Sequence, residues 1–157
     1  MTQFNIVQTA PLALTAKIAV GRPEKCHRYL GVAEALAKGL RPLASTREAT
    51  TAMAFLAAQV LETALKAYIL KTNPTADVKS PPDNHNIVKL WQRCRSAGLP
   101  IEVDAPSVVK LLSSLHSRPY PLRYADEDQV RLIFAPKPDD VCIAVEAVLQ
   151  LVAKSIN

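Results

Sequence analysis

Glycine is scarce in this chain, with four in 157 residues, and aromatic side chains make up only 5%. Sheet sandwiches and barrels draw their turns from glycine and their faces from aromatic and β-branched residues, so both shortages favour helices packed on helices. Cysteine is sparse as well. Cys26, Cys94 and Cys142 are odd in number and far apart, with no Cys-x-x-Cys pair, which argues against a disulfide framework and a structural zinc site and fits reduced thiols. No run of 18 apolar residues exists, so no transmembrane span is expected. The first twenty residues, MTQFNIVQTAPLALTAKIAV, lack the basic region that precedes the apolar stretch of a signal peptide, and a cytoplasmic location is the expectation. Neither a glycine-rich phosphate loop, nor His-Glu-x-x-His, nor Gly-x-Ser-x-Gly is present, which removes the P-loop, zincin and nucleophile-elbow classes. The net charge of +5 permits an acidic partner, but no block of five or six basic residues forms a tail.

What the chain does have is a long uninterrupted helical stretch at 45–72, STREATTAMAFLAAQVLETALKAYILKT, about seven turns in length. Ser45 and Glu48 have the spacing of a capping box, and no glycine or proline follows until Pro74. Met53, Leu56, Val60, Leu61, Ala64, Leu65 and Tyr68 recur at spacings of three and four, leaving Gln59, Glu62, Thr63 and Lys66 as a narrow polar stripe. A helix with so narrow a stripe is covered on most sides and predicts a central position.

Around it the pattern predicts an all-α bundle of four to five helices in up-and-down order, with residues 1–22 as an extended N-terminal segment and 23–157 as one helical domain. Alternating apolar residues at 12–20 have the period of a strand. Pro23 is placed to open a helix to about Lys38 closed by Gly39, with 40–44 a connection and 73–84 an exposed loop. Asp83 or Asn84 caps a helix over 85–97 that stops at Gly98, and Asp104-Ala105-Pro106 opens another that ends before Pro119. Residues 119–134 allow a short β-hairpin, and Asp139 or Asp140 caps the last helix. The apolar breadth of the 45–72 and final helices predicts a homodimer.

Three pieces in order, LETALKAYILKT at 61–72, HNIVKLW at 85–91 and RPYPLRY at 118–124, resemble the HEPN family of small helical bundles over roughly two thirds of the chain. The resemblance implies a dimerising bundle with a polar cleft, members that sit beside nucleotidyltransferases, and roles in RNA cleavage, toxin-antitoxin pairs or defence. A neighbouring nucleotidyltransferase or antitoxin protein is the implied partner. Nuclease members carry Arg, four to six residues, then His, near the last helix. Here no histidine follows Arg118 or Arg123, and the one match, Arg22 to His27, precedes the first helix. A non-catalytic domain is therefore expected, with no metal and no cofactor.

The candidate ligand-binding residues are Lys66, His85, Arg118, Tyr120, Arg123 and Tyr124. Glu62 and Lys66 stand one turn apart, acid first, either as a solvated surface pair or as part of a cleft where Lys66 meets a phosphate. Arg118, Tyr120, Arg123 and Tyr124 combine two guanidinium forks with two phenols in a proline-rich turn, able to hold a phosphate and stack on a base, or to pair with Asp126, Glu127 and Asp128. His85, His116 and Arg118 are the catalytic candidates if the chain is a metal-independent ribonuclease, and His27 is a further histidine for that role. A binder of a nucleotide, RNA or a partner protein is the leading expectation; a ribonuclease toxin and a structural protein-interaction module are the alternatives.

Overall fold

Every residue from 60 to 70 is buried, polar and apolar alike, because the helix that carries them is enclosed on all sides. The computed structural model describes residues 24–46, 50–80, 85–117 and 137–157. They form six helices: α1 (Lys25–Ala37), α2 (Leu40–Ala44), α3 (Thr50–Thr72), α4 (Ile87–Ser96), α5 (Ser107–His116) and α6 (Pro138–Ile156). The described residues contain no strand, and the fold is an all-α bundle about a long central helix. The N-terminal segment, the expected strand at 12–20 and the expected hairpin at 119–134 lie outside the described residues.

Helices α1, α4, α5 and α6 all pack on α3, and the single turn α2 bridges α3 and α6. Small residues make this enclosure possible. Ala57, Ala58, Ala64 and Ala67 are wholly buried and let neighbouring helices approach α3 closely, while Leu61, Leu65 and Leu70 fill the spaces between. Each such leucine contributes about 1.5–3 kcal/mol of burial. By length and composition α3 could cross a membrane, yet most of it is buried inside the bundle, as in the core helix of a globular fold.

Several expected boundaries move. Ser45 closes α2, its hydroxyl donating to the Pro42 carbonyl at 2.8 Å, so residues 40–44 are a helical turn and not a plain connection, while the expected capping box with Glu48 falls outside the described residues. Gly39 adopts φ −81°, not a left-handed cap. Its value is space, since a Cβ there would stand 2.9 Å from Leu56 Cδ2 on α3. The 73–80 loop buries Ala76 and Val78 and is exposed elsewhere. Asn86, not Asp83 or Asn84, caps α4, its side chain accepting from the Lys89 amide at 3.0 Å. At the other end Gly98 has φ 98°, and the Leu99 amide donates back to the Cys94 carbonyl, a Schellman-type close. Pro138 occupies the first turn of α6, so Asp139 and Asp140 sit within that turn, where they complement the helix dipole without capping it. The three cysteines are free and buried, and burial pushes the Cys94 thiol up to about 12.

Candidate functional site

In the middle of α3 the polar stripe faces inward. Glu62 is 4% exposed and Lys66 5%, and the Lys66 ammonium donates to Glu62 Oε1 at 2.6 Å. The spacing of four that reads as a surface pair is a buried one, because α1, α4 and α5 close over this side of α3. Lys66 is thus engaged with Glu62 and not presented to solvent.

Two histidines converge on the other carboxylate oxygen. His116, at the last residue of α5 and 0% exposed, places Nε2 at 2.6 Å from Glu62 Oε2. His85, in the turn before α4, places Nδ1 at 3.1 Å from the same atom. That turn is pinned to α5: Ser117 Oγ donates to the His85 carbonyl at 3.3 Å, and Ser113 Oγ accepts from the Val88 amide at 3.2 Å. The two imidazoles meet edge to face at 5.7 Å, and the Phe55 ring meets His116 in a second edge contact at 6.0 Å. Three elements distant in sequence therefore fix one carboxylate.

Burial, the largest single influence on Glu62, would raise its pKa. The hydrogen bonds from His116, Lys66 and His85 outweigh it and hold the group at about 2, a carboxylate under all ordinary conditions. Tyr29 of α1 lies near enough to feel that charge: burial first, then Glu62, pushes its phenol up. An ionised carboxylate only accepts, so each ring presents an N–H to it. His116 then uses Nε2–H toward Glu62, and its buried Nδ1 has no hydrogen-bond partner among the described residues.

Glu62, His85 and His116 are also a two-histidine, one-carboxylate donor set, with one candidate ligand atom each within 4.8 Å of the others. Two features oppose an ion there. Lys66 already pairs with the carboxylate, and binding metal through His116 Nε2 would require the proton on Nδ1, which has no acceptor among the described residues. A second group, Glu24, Cys26 and His27, comes from four consecutive residues at the start of α1, with burial raising the Cys26 thiol away from the thiolate a metal needs.

Of the cluster only His85 reaches the surface to a useful extent, with 27% of its side chain exposed against 7% or less for the others. No family model, curated protein or solved structure matches this chain. The sequence-predicted residues divide accordingly. Lys66, His85 and His116 are brought together; His27 stands apart at the start of α1, beside Glu24 at 3.7 Å; Arg118, Tyr120, Arg123 and Tyr124 lie outside the described residues. Glu62, which sequence reasoning treated only as half of a pair, is the hub. The one sign of it was a carboxylate on a helix otherwise patterned for burial.

As chemistry, a histidine whose inner nitrogen is fixed by a permanent carboxylate can donate to, or accept from, a group arriving at the surface with a defined ring orientation.

Proposed function

We propose that the chain is a HEPN-like helical domain that binds a nucleotide or RNA where His85 emerges from the Glu62 cluster, without catalysis of its own. The observation that supports this is the His85 to Glu62 contact at 3.1 Å. It joins two of the three pieces that carry the resemblance, LETALKAYILKT and HNIVKLW, into one site. The third piece, with Arg118, Tyr120, Arg123 and Tyr124, follows within two residues of His116 in the sequence, and the +5 net charge suits a phosphate-bearing ligand. Binding of labelled single-stranded RNA and of mononucleotides to wild type and His85→Gln tests the reading.

The same pair supports a second reading, a metal-independent ribonuclease with His85 as general acid or base oriented by Glu62. Lys66 and His116 are too buried to touch substrate, so His85 and Arg118 or Arg123 would carry the chemistry. Cleavage of labelled RNA that disappears in His85→Gln selects this reading, and intact RNA removes it.

The homodimer is part of the proposal. Because the chain itself covers α3, the argument for a second copy rests on Ile143 of α6 and Val32 of α1, 59% and 52% exposed. A clean monomer in sedimentation at tens of micromolar would remove it. A role in a toxin-antitoxin or defence pair, or beside a nucleotidyltransferase, is the matching cellular setting.

A further inference from the structure

We propose that a second copy of this chain docks on the outer face of α1, the two α1 helices crossing antiparallel at Gly31; this locates the homodimer contact and rests on the homodimer reading above. Gly31 is the middle residue of α1. Glycine inside a helix is destabilising relative to alanine, and its use there is a close approach that a Cβ would block. Inside this chain no such approach is seen. Among the described residues no atom stands within 4 Å of where a Gly31 Cβ would be, in contrast to Gly39, whose missing Cβ makes room for Leu56. The bundle takes the other side of α1, burying Cys26, Leu30 and Ala33, and leaves Gly31, Val32 and Ala35 exposed.

The charges around Gly31 select the occupant. Glu24 and Lys38 lie seven residues to either side of it, Arg28 and Glu34 three to either side, and all four are exposed. Counting outward, each acid is matched by a base. With 3.6 residues per turn these four fall within about 60° of Gly31 around the helix, whereas Lys25, the remaining charge of α1, is about 120° away. A twofold axis at Gly31 that runs two copies antiparallel sets Arg28 of one at the level of Glu34 of the other, about 4.5 Å along the axis from the crossing. Glu24 comes to the level of Lys38 about 10.5 Å from it, and symmetry repeats both pairings. A parallel pair would set Arg28 against Arg28 and Glu34 against Glu34. Among the described residues the Arg28, Glu34 and Lys38 side chains are committed to no hydrogen bond or ion pair, and Glu24, 3.7 Å from His27, keeps 74% of its side chain exposed.

Exposed ion pairs are individually weak, so these fix orientation and reject other pairings. The attraction comes from two backbones approaching at Gly31, with Ala35 beside the crossing and Val32 on its flank. One helix pair about 20 Å long buries little surface, which makes this a weak, exchanging dimer.

The test is sedimentation of the full chain across a dilution series reaching tens of micromolar. Wild type, Arg28→Glu, Glu34→Arg, an equimolar mixture of those two variants, and Gly31→Leu are compared, with thermal melts confirming that each is folded. Each charge variant alone should dissociate about tenfold more readily than wild type, because two attractive pairs become repulsive. Their mixture should regain wild-type association, since the two acids of one variant then face the two bases of the other. Gly31→Leu should stay folded and lose the dimer. Unchanged association in any of the three variants, or no recovery on mixing, overturns the α1 crossing and leaves the homodimer standing through another face. A wild type that remains monomeric brings down the homodimer and the crossing together, and leaves the His85 reading untouched.

Discussion

Glu62 and His116 are 54 residues apart in sequence and 2.6 Å apart in the centre of the bundle, joined through a carboxylate that Lys66 and His85 also hold. One acidic side chain thus ties α3 to α5 and to the turn that starts α4, and the consequences can be measured.

Removing one partner of a buried ion pair leaves the other charge uncompensated. Glu62→Gln takes the carboxylate away from the buried Lys66 ammonium and from both histidines and should cost about 3–5 kcal/mol in urea unfolding, whereas Glu62→Leu/Lys66→Leu, which removes both charges and keeps volume, should recover most of that loss. A double variant no more stable than the single one would show that the histidine contacts, and not the ion pair, carry the stability.

The sign of the acid response follows from Glu62. Its pKa is depressed in the folded state, from 4.5 to about 2, so its contribution is present in full above the unfolded value and is lost as pH falls from about 4.5 toward about 2. Stability measured against pH should decline across that window in wild type, and the decline should be shallower in Glu62→Leu/Lys66→Leu.

Both ends of α4 are set by single residues. Asn86→Ala removes the cap on the Lys89 amide and should cost about 1 kcal/mol. Gly98→Ala forces a Cβ into φ 98° and should cost about 1–2 kcal/mol from backbone strain alone, since the nearest atom, the Tyr68 hydroxyl, stands 3.7 Å away. Thermal melts decide both, and a neutral Gly98→Ala would mean the helix end can relax.

The donor set around Glu62 invites zinc, and the charge balance argues against it. Zinc added in equimolar amount to wild type should leave the melting temperature unchanged, as should a chelator. A zinc-dependent rise that vanishes in His116→Ala would show that an ion displaces Lys66 from its partner.

Much of this bundle is legible in the residues because helix signals are local. The unbroken run ahead of Pro74, the stop at Gly98 and the end of α5 before Pro119 each rest on the conformational limits of one or two residues. Caps are less legible. Asp83, Asn84 and Asn86 offer the same chemistry within four positions, so geometry selects among equivalent side chains. The site is legible in part: Lys66, His85 and His116 stand out singly, but Glu62 and Lys66 have the same spacing on an exposed face as on a buried one. Burial there is decided by α1, α4 and α5 arriving from elsewhere in the chain, information that no short window contains.

The account turns on His85 as the surface contact of the cluster. His85→Gln keeps a donor for Glu62 while removing the imidazole, so the fold should persist. Anisotropy of labelled single-stranded RNA should then show at least about a tenfold loss of affinity, about 1.4 kcal/mol, in a variant that still melts cooperatively. Wild type that binds RNA and nucleotides with the same affinity as the folded His85→Gln protein, or that binds neither, contradicts it.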